Sequence, residues 1–179
     1  MLVLGMGNIG GDYARKMKAL GAYVIGVRRT AHDKPDYLDE LYSLEDFEPA
    51  LSRADIVAMI LPGGENTRHF LDARRLGMLK EGALLINAGR GPAVDAAALK
   101  EALRSGRLGG AALDVTDPEP LPADDELWDM ENVVITPHCA GNLLLSQTTD
   151  KIFRILGDNL HAYTHGGEIT NRVDRRLGY

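Results

Sequence analysis

A glycine-rich turn that directly follows an apolar run is the feature that most constrains what this chain can fold into. Leu2–Leu4 is predicted as a buried strand, and Gly5-Met6-Gly7-Asn8-Ile9-Gly10 follows it and opens a helix. In such a unit the first glycine permits a tight turn, the second lets a pyrophosphate approach the backbone, and the third lets helix and strand pack closely. The amides of Asn8 and Ile9 then point toward phosphate oxygens. The alternative is an ordinary glycine-rich turn without a ligand.

Short apolar runs alternate with longer amphipathic stretches along the chain, a pattern typical of a parallel sheet with crossover helices. Most of the runs lack polar/apolar alternation, as expected for strands that helices cover on both faces. The predicted strands are Leu2–Leu4, Tyr23–Val27, Ile56–Leu61, Leu84–Asn87, Ala111–Val115 and Val133–Thr136. The predicted helices are Asn8–Leu20, Leu44–Arg53, Ala96–Arg104 and Leu143–Tyr163. The expected fold class is therefore α/β, a doubly wound parallel sheet of the Rossmann type with right-handed crossovers.

The length of 179 residues suits one domain with an appendage. We expect a dinucleotide-binding domain at residues 1–142, followed by a C-terminal helix and tail at residues 143–179. The net charge of −6 disfavours nucleic-acid binding, which needs a basic face. No apolar run approaches the roughly 18–20 residues of a membrane-spanning helix. The single cysteine, Cys139, permits no intrachain disulfide. These features predict a cytoplasmic protein that binds neither nucleic acid nor membrane.

Two arginines, Arg28 and Arg29, follow the second predicted strand. In NAD-binding domains this region carries an acidic residue that accepts a hydrogen bond from the ribose 2′-hydroxyl. A guanidinium binds a 2′-phosphate in bidentate fashion, whereas a carboxylate repels it. The two arginines therefore favour NADP over NAD. The alternative is a solvated basic turn, with Asp33 or Asp36 reaching back to the ribose.

Four chemically active side chains follow predicted strands at their carboxyl ends, where ligands bind in open parallel sheets. They are Arg90, Asp114, Glu119 and His138. Each one taken singly has a structural explanation, such as a surface charge, a loop acid or a satisfied core histidine. Because all four fall at one edge of the predicted sheet, a single shared site is the favoured interpretation. Three prolines between residues 117 and 122 predict an irregular loop around Glu119.

Several spaced motifs give the chain a specific resemblance to one family. Besides the glycine turn they are Leu61-Pro62 with Asn66-Thr67-Arg68, Asn87–Gly91 with Val94-Asp95, Ala111–Val115, Glu119-Pro120-Leu121 and Pro137-His138. With these motifs in this order, the chain from Leu2 to about Tyr163 resembles the nucleotide-binding domain of the D-isomer-specific 2-hydroxyacid dehydrogenases. That family includes glyoxylate/hydroxypyruvate reductases and 3-phosphoglycerate dehydrogenase.

The resemblance implies hydride transfer between NAD(P)H and a small 2-oxo or 2-hydroxy acid. Arg90 would hold the substrate carboxylate. His138 would donate or accept the proton at the C2 oxygen, and Glu119 would hydrogen-bond the other imidazole nitrogen and fix its tautomer. These three are the candidate catalytic residues, and no metal ligand is predicted.

The same resemblance implies contacts to the cofactor. Asp114 would hydrogen-bond the nicotinamide carboxamide, with Ala88 and Arg90 beside the ring. Pro62 and Thr67 would line the adenosine and ribose side. The candidate dinucleotide-binding residues are Gly5, Gly7, Asn8, Ile9, Gly10, Arg28, Arg29, Pro62, Thr67, Ala88, Arg90, Asp114, His138 and Gly141.

One departure from the family is Arg28, at a position where many members carry aspartate, so the expected cofactor is NADP, with NAD as the alternative. Full-length members also have a substrate-binding domain, built mainly from residues ahead of this fold, that this sequence lacks. A chain without it is expected to bind dinucleotide but to reduce 2-oxo acids poorly. The family also implies a homodimer. Two other functions stay open: a 3-phosphoglycerate dehydrogenase-type enzyme and a non-catalytic, dinucleotide-sensing protein similar to corepressors.

Overall fold

The computed structural model describes residues 1–29, 33–141, 145–173 and 175, and among them seven strands form one sheet. The strands are β1 (Leu2–Leu4), β2 (Ile25–Arg28), β3 (Glu40–Ser43), β4 (Ile56–Met59), β5 (Ala83–Asn87), β6 (Leu108–Leu113) and β7 (Val133–Ile135). Within the described residues they lie in the order β3-β2-β1-β4-β5-β6-β7, and all the pairs are parallel. Because β1 lies between β2 and β4, the chain reverses its winding direction there. The predicted doubly wound parallel sheet is confirmed, with its switch point at the carboxyl end of β1.

The same described residues contain four α-helices and several short 3₁₀ turns. The helices are α1 (Asn8–Ala19), α2 (Ala73–Met78), α3 (Ala96–Arg104) and α4 (Ser146–His165). The 3₁₀ turns are Glu48–Arg53, Glu65–Thr67, Gly91–Ala93 and Glu126–Trp128. The chain divides into two units, Met1–Pro137, which holds the sheet, and His138–Tyr179, which holds α4.

The two faces of the sheet are buried in separate apolar clusters. Successive side chains of a strand point to opposite faces. Leu2 and Leu4 therefore enter the larger cluster, with Phe47 and Leu51, whereas Val3 enters the smaller one. All three residues of β1 are fully buried. This two-sided burial explains why the apolar run shows no polar/apolar alternation.

Several predicted boundaries need correction. The strand predicted from Tyr23 begins at Ile25, because the Val24 amide donates to the Asp39 carboxylate at 2.7 Å and so makes no bond to a neighbouring strand. The strand predicted from Ala111 begins at Leu108. Its first half was missed because the glycines at 109 and 110 interrupt the apolar run that predicts a strand. A Cβ at residue 109 would lie 2.5 Å from the carbonyl oxygen of Gly82, so this glycine permits the close approach of neighbouring backbone. The remaining predicted strands Ile56–Leu61, Leu84–Asn87 and Val133–Thr136 become Ile56–Met59, Ala83–Asn87 and Val133–Ile135.

The predicted helix Leu44–Arg53 is wrong in its first half. Within this range Glu48–Arg53 is helical, as a 3₁₀ turn, and Ser43, a residue type that favours helix N-caps and directly precedes the predicted helix, is the last residue of β3. The Ser43 hydroxyl donates to Asp46 at 2.7 Å and accepts from the amide of Glu45 at 3.2 Å, so the side chain closes a turn. The short elements β3 and α2 were not predicted. α1 ends at Ala19, one residue before its predicted end.

The second unit consists of α4 and the segment that follows it. The helix predicted as Leu143–Tyr163 begins at Ser146 and continues to His165, while residues 142–144 lie outside the described residues. Gly166, at φ +71°, ends the helix, and the Gly167 amide donates to the Ala162 carbonyl at 2.7 Å. In the part of the chain that the structure describes, no helix is long and apolar enough to cross a membrane.

Candidate active site

The glycine turn after β1 is shaped by two close backbone contacts. Gly5 has φ +99°, a conformation that favours glycine, and its amide donates to the Val27 carbonyl at 3.0 Å. A Cβ on Gly5 would lie 2.5 Å from the carbonyl oxygen of Ile60. A Cβ on Gly10 would lie only 1.8 Å from the carbonyl oxygen of Gly5. The protein's own packing therefore requires both glycines, as the sequence predicts.

Gly7 differs from the other two glycines. It caps α1 with an extended backbone (φ −75°, ψ −163°), lies exposed, and a Cβ built on it would meet no atom of the described residues within 4 Å. The first helical hydrogen bond runs from the Gly11 amide to the Gly7 carbonyl at 2.8 Å. The amides of Asn8 and Ile9 precede that bond and stand outside the helical ladder, on exposed residues. The N-terminus of α1 thus faces open space with the properties of an anion site.

Arg28 is the last residue of β2, which pairs with β1, and therefore lies beside the glycine turn. The side chain is half-buried, and its Nη2 donates to the carbonyl of Asp33 at 3.3 Å. The Arg28 Nε is buried and has no hydrogen-bond partner among the described residues. Arg29, Asp33 and Asp36 are exposed, and Thr30 lies outside the described residues.

Pro62 and Thr67 meet in the loop after β4. The Thr67 hydroxyl lies 2.8 Å from the Pro62 carbonyl and 3.0 Å from the Gly64 carbonyl. This bond closes the loop over the 3₁₀ turn Glu65–Thr67. The family resemblance assigns both residues to the adenosine and ribose side of the cofactor site, and in the structure they are in direct contact.

A buried asparagine that the sequence reasoning did not single out organises the turn after β5. Asn87 is 1% exposed; its Oδ1 accepts from the Gly89 amide at 3.1 Å, and its Nδ2 donates to the Arg90 carbonyl at 3.2 Å. The Asn87 carbonyl also accepts from the Asp114 amide at 2.9 Å. One residue thus connects the turn that carries Ala88 and Arg90 to the end of β6. In the sequence, the feature that could have indicated this role is a polar residue, Asn87, at the end of an otherwise apolar strand.

The turn presents Arg90 to solvent. Its Nη1 donates to the Gly89 carbonyl at 2.7 Å, and the side chain is exposed. A Cβ on Gly63 would lie 3.2 Å from the Arg90 Cγ, so the loops after β4 and β5 touch here. A Cβ on Gly91 would lie 1.8 Å from the Thr116 carbonyl oxygen, so the loop after β6 packs against the same turn.

The loop after β6 carries two candidate acids in different environments. Asp114 is 8% exposed, and its Oδ1 accepts from the Thr136 hydroxyl at 2.5 Å. Glu119 is exposed in the irregular loop that the prolines predict, and its Oε2 lies 3.5 Å from the Thr116 amide. The structure thus brings Arg90, Asp114 and Glu119 to adjoining loops at the carboxyl edge of the sheet.

His138 is the first residue of the second unit. It lies exposed with a left-handed backbone (φ +51°), and Gly141 is exposed as well. The expected hydrogen bond between Glu119 and His138 stays a prediction. In the described residues no group of three or more histidine, cysteine or acidic side chains is arranged to hold a metal ion.

The strongest carboxyl pKa shifts occur at structural ion pairs away from these loops. Hydrogen bonds from Arg53, and then from Tyr23 and Tyr42, lower the pKa of Glu40 to about 2. Glu40 is the first residue of β3 and so lies at the amino edge of the sheet, opposite the candidate site. The hydrogen bonds that lower this pKa stabilise the fold, and the shift does not indicate a catalytic group.

Comparison with known proteins identifies the family. The model of the D-isomer specific 2-hydroxyacid dehydrogenase, NAD binding domain, matches residues 1–140. The chain belongs to this family. Both the predicted resemblance and the predicted fold are therefore confirmed.

Relatives within the dehydrogenase family cover nearly the whole chain. It is 33% identical to a glyoxylate reductase of Korarchaeum cryptofilum over 178 residues, 98% of this chain and 52% of that protein. A solved D-isomer specific 2-hydroxyacid dehydrogenase of Xanthobacter autotrophicus Py2, in complex with NADPH and MES, is 37% identical with a TM-score of 0.91. The match covers 100% of this chain and 72% of the solved chain. A solved NADPH-dependent glyoxylate/hydroxypyruvate reductase of Sinorhizobium meliloti, in complex with NADP and sulfate, is 34% identical with a TM-score of 0.90. The match covers 99% of this chain and 56% of that protein. The chain spans about half the length of the curated relatives it matches.

Proposed function

We propose that this chain is the nucleotide-binding part of an NADP(H)-dependent oxidoreductase that interconverts small 2-oxo and 2-hydroxy acids. The observation that carries the proposal is the convergence of two features at one edge of the sheet. The open N-terminus of α1 lies at the switch point, and the turn bearing Arg90 follows β5 at the same edge. Ligands of open α/β sheets bind at this edge.

The residues present fit a dinucleotide. Gly5 and Gly10 are explained by contacts within the protein, whereas a Cβ at residue 7 would meet no atom of the part of the chain that the structure describes, so packing does not explain this glycine. A pyrophosphate approaching the amides of Asn8 and Ile9 supplies the missing reason for a residue without a side chain.

Arg28 fits the 2′-phosphate of NADP. Its buried Nε lacks a partner in the described residues, and its position at the end of β2 is where the ribose binds in such folds. Relatives crystallised with NADPH and NADP support this choice. Arg29 and the pair Pro62 and Thr67 complete the adenosine side, and NAD is the weaker alternative.

The chemistry of the substrate side falls to Arg90, Glu119 and His138. When bound, the nicotinamide supplies or accepts the hydride at C2 of the acid. Arg90, exposed at its turn, holds the substrate carboxylate through a planar guanidinium. His138 gives or takes the proton at the C2 oxygen, and Glu119 holds the imidazole in the tautomer that this transfer requires.

Two further nicotinamide contacts are proposed at the ends of β5 and β6. The Asp114 carboxylate accepts from the carboxamide, and Ala88 borders the ring. Gly141 is proposed as a further cofactor contact, on the strength of the family resemblance.

The cofactor assignment is tested by titration calorimetry of NADPH and NADH against the chain, its Arg28→Asp variant and a charge-matched control, Arg154→Asp, on exposed α4. The unmodified chain and the control should bind NADPH at least about tenfold more tightly than NADH, because hydrogen bonds to a charged group contribute about 1.5–3 kcal/mol. Arg28→Asp should lose that preference. Tighter binding of NADH than of NADPH by the unmodified chain would contradict the assignment.

The reaction is tested with the full-length product of the gene that encodes this chain, against a panel of 2-oxo acids that includes glyoxylate, hydroxypyruvate and a phosphorylated member. Loss of NADPH absorbance with one of them supports an enzyme, and unchanged absorbance with all of them supports a dinucleotide sensor. His138→Gln should lower kcat by about 10²–10⁴, far more than it weakens the binding of NADPH. Equal losses in kcat and NADPH affinity would contradict the proton-transfer role.

We also propose that the enzyme is a homodimer, as the family resemblance implies, and that it is cytoplasmic. The single cysteine is consistent with a reducing compartment. Light scattering on the eluting protein gives the mass of the assembly, and a monomer mass across a range of concentrations would refute the dimer.

A further inference from the structure

Two histidines lie one turn apart on α4, outside the candidate active site. His161 and His165 are separated by four residues, which puts them on the same face of the helix. Their ring centroids are 4.1 Å apart with planes inclined by 14°, so the imidazoles are stacked. Both side chains are exposed and so accessible from solvent.

The hydrogen bonds of His165 determine which ring nitrogen carries the proton. Its Nδ1 lies 2.9 Å from the carbonyl oxygen of His161, which can only accept, so Nδ1 must carry the hydrogen. Nδ1 is also 2.9 Å from the Thr164 hydroxyl, whose own proton has carbonyl acceptors at Leu160 (3.0 Å) and His161 (3.1 Å). Neutral His165 therefore presents the lone pair of Nε2. A backbone carbonyl that holds Nδ1–H is the usual support of a metal-binding imidazole.

We propose that His161 and His165 form a two-imidazole chelate for a divalent late transition ion, such as Cu²⁺, Ni²⁺ or Zn²⁺. Histidines at this spacing on a helix supply two ligands of known zinc sites. A metal–nitrogen distance of about 2.0–2.1 Å lets one ion join nitrogens up to about 4 Å apart. The ring centroids are only 4.1 Å apart, and because both side chains are exposed the two rings can rotate out of their stacked arrangement until both Nε2 lone pairs point at one ion. Water completes the coordination shell.

The position of the pair on the helix also favours a cation. His165 is the last residue of α4, before Gly166. The C-terminal end of a helix carries the negative pole of the helix dipole. Ligand type then sets selectivity: imidazole suits Cu²⁺, Ni²⁺ and Zn²⁺, with Cu²⁺ bound most tightly, whereas Mg²⁺ and Ca²⁺ require oxygen ligands.

The proposal is tested by titrating the untagged chain with CuCl2, NiCl2, ZnCl2 and MgCl2, monitored by calorimetry, alongside His161→Gln, His165→Gln and His69→Gln. The last variant removes an exposed histidine from the sheet unit and serves as the matched control. Each single α4 variant should bind Cu²⁺ at least tenfold more weakly than the unmodified chain. The double variant, His161→Gln with His165→Gln, should bind Cu²⁺ no more weakly than either single variant, because removing one imidazole already abolishes the chelate. His69→Gln should stay within twofold, and Mg²⁺ should not bind.

Because both histidines are exposed, the variants should retain the far-ultraviolet circular dichroism of the unmodified chain, which verifies their folding. Cu²⁺ affinity within twofold of the unmodified chain in either α4 variant would overturn the chelate. So would no Cu²⁺ binding by the unmodified chain, or an equal loss of affinity in His69→Gln.

Discussion

Gly7 and Gly10 provide a direct test of how the glycine turn divides its work between folding and binding. A Cβ at residue 10 would lie 1.8 Å from the Gly5 carbonyl oxygen, about 1.6 Å short of the 3.4 Å at which ordinary contact begins. Both atoms belong to backbone, so α1 must move away from the turn. Overpacking of this kind costs typically 1–3 kcal/mol, and we take about 3 because no flexible side chain can yield. Alanine in place of glycine in a helix returns about 1 kcal/mol. We therefore expect Gly10→Ala to lower the free energy of unfolding by about 2 kcal/mol or more.

Gly7→Ala should act on binding instead. The extended backbone at residue 7 accommodates alanine, and among the residues with a described position none has an atom within 4 Å of the new methyl group. Losing a glycine cap costs about 0.5–1 kcal/mol, and a less flexible unfolded chain offsets about 0.4–1 kcal/mol. The free energy of unfolding should therefore change by no more than about 0.5 kcal/mol. The methyl group fills the space through which the proposed pyrophosphate reaches the amides of Asn8 and Ile9, so NADPH affinity should fall at least about tenfold, which is about 1.4 kcal/mol.

Urea denaturation and calorimetric titration of NADPH, performed on the same preparations, separate the two effects. Gly21→Ala is a third variant whose site lies after α1, away from the turn, and it should leave NADPH affinity unchanged. The reasoning is refuted if Gly7→Ala binds NADPH within twofold of the unmodified chain. It is equally refuted if Gly10→Ala is as stable as the unmodified chain.

Three further predictions concern the fold and the turn after β5. Phe47→Ala removes a fully buried ring and should lower the free energy of unfolding by about 3–5 kcal/mol, measured with urea; a loss below about 1 kcal/mol would contradict this burial. Asn87→Asp keeps the acceptor for the Gly89 amide but replaces the donor to the Arg90 carbonyl with a buried oxygen. Thermal denaturation should therefore show that the free energy of unfolding falls by about 2–3 kcal/mol. An unchanged free energy of unfolding would mean that the turn needs only the acceptor. The pKa of Glu40 is lowered to about 2 by hydrogen bonds led by Arg53, so its stabilisation is present above the unfolded pKa of about 4.3 and is lost as pH falls toward 2. Glu40→Gln should therefore cost about 1 kcal/mol at pH 7 and less near pH 2, and an equal cost at both pH values would exclude this ion pair as the cause.

Local pattern carried a large part of this fold. An apolar run with no alternation predicts a strand buried on both faces, and β1 is buried in that way because a separate apolar cluster packs on each face of the sheet. The glycine turn was recognised because close backbone packing leaves no room for a Cβ at residues 5 and 10. The placement of Arg90, Asp114 and Glu119 at one edge of the sheet is predictable because parallel strands end at the same edge, whereas their roles stay predictions.

Other features were decided by contacts between distant residues, which leave no periodicity in the chain. β3 is a strand because it pairs with β2, and its half-buried residues show no pattern of their own. Ser43 has the identity of a helix cap, yet that pairing places it at the end of a strand. Asn87 looks like any polar residue after an apolar run until burial requires both ends of its amide to find partners. The sequence by itself determined the parallel sheet and which side chains reach its carboxyl edge. Only the tertiary structure decided how those side chains are held, because hydrogen bonds between separate loops exist only once the sheet has brought the loops together.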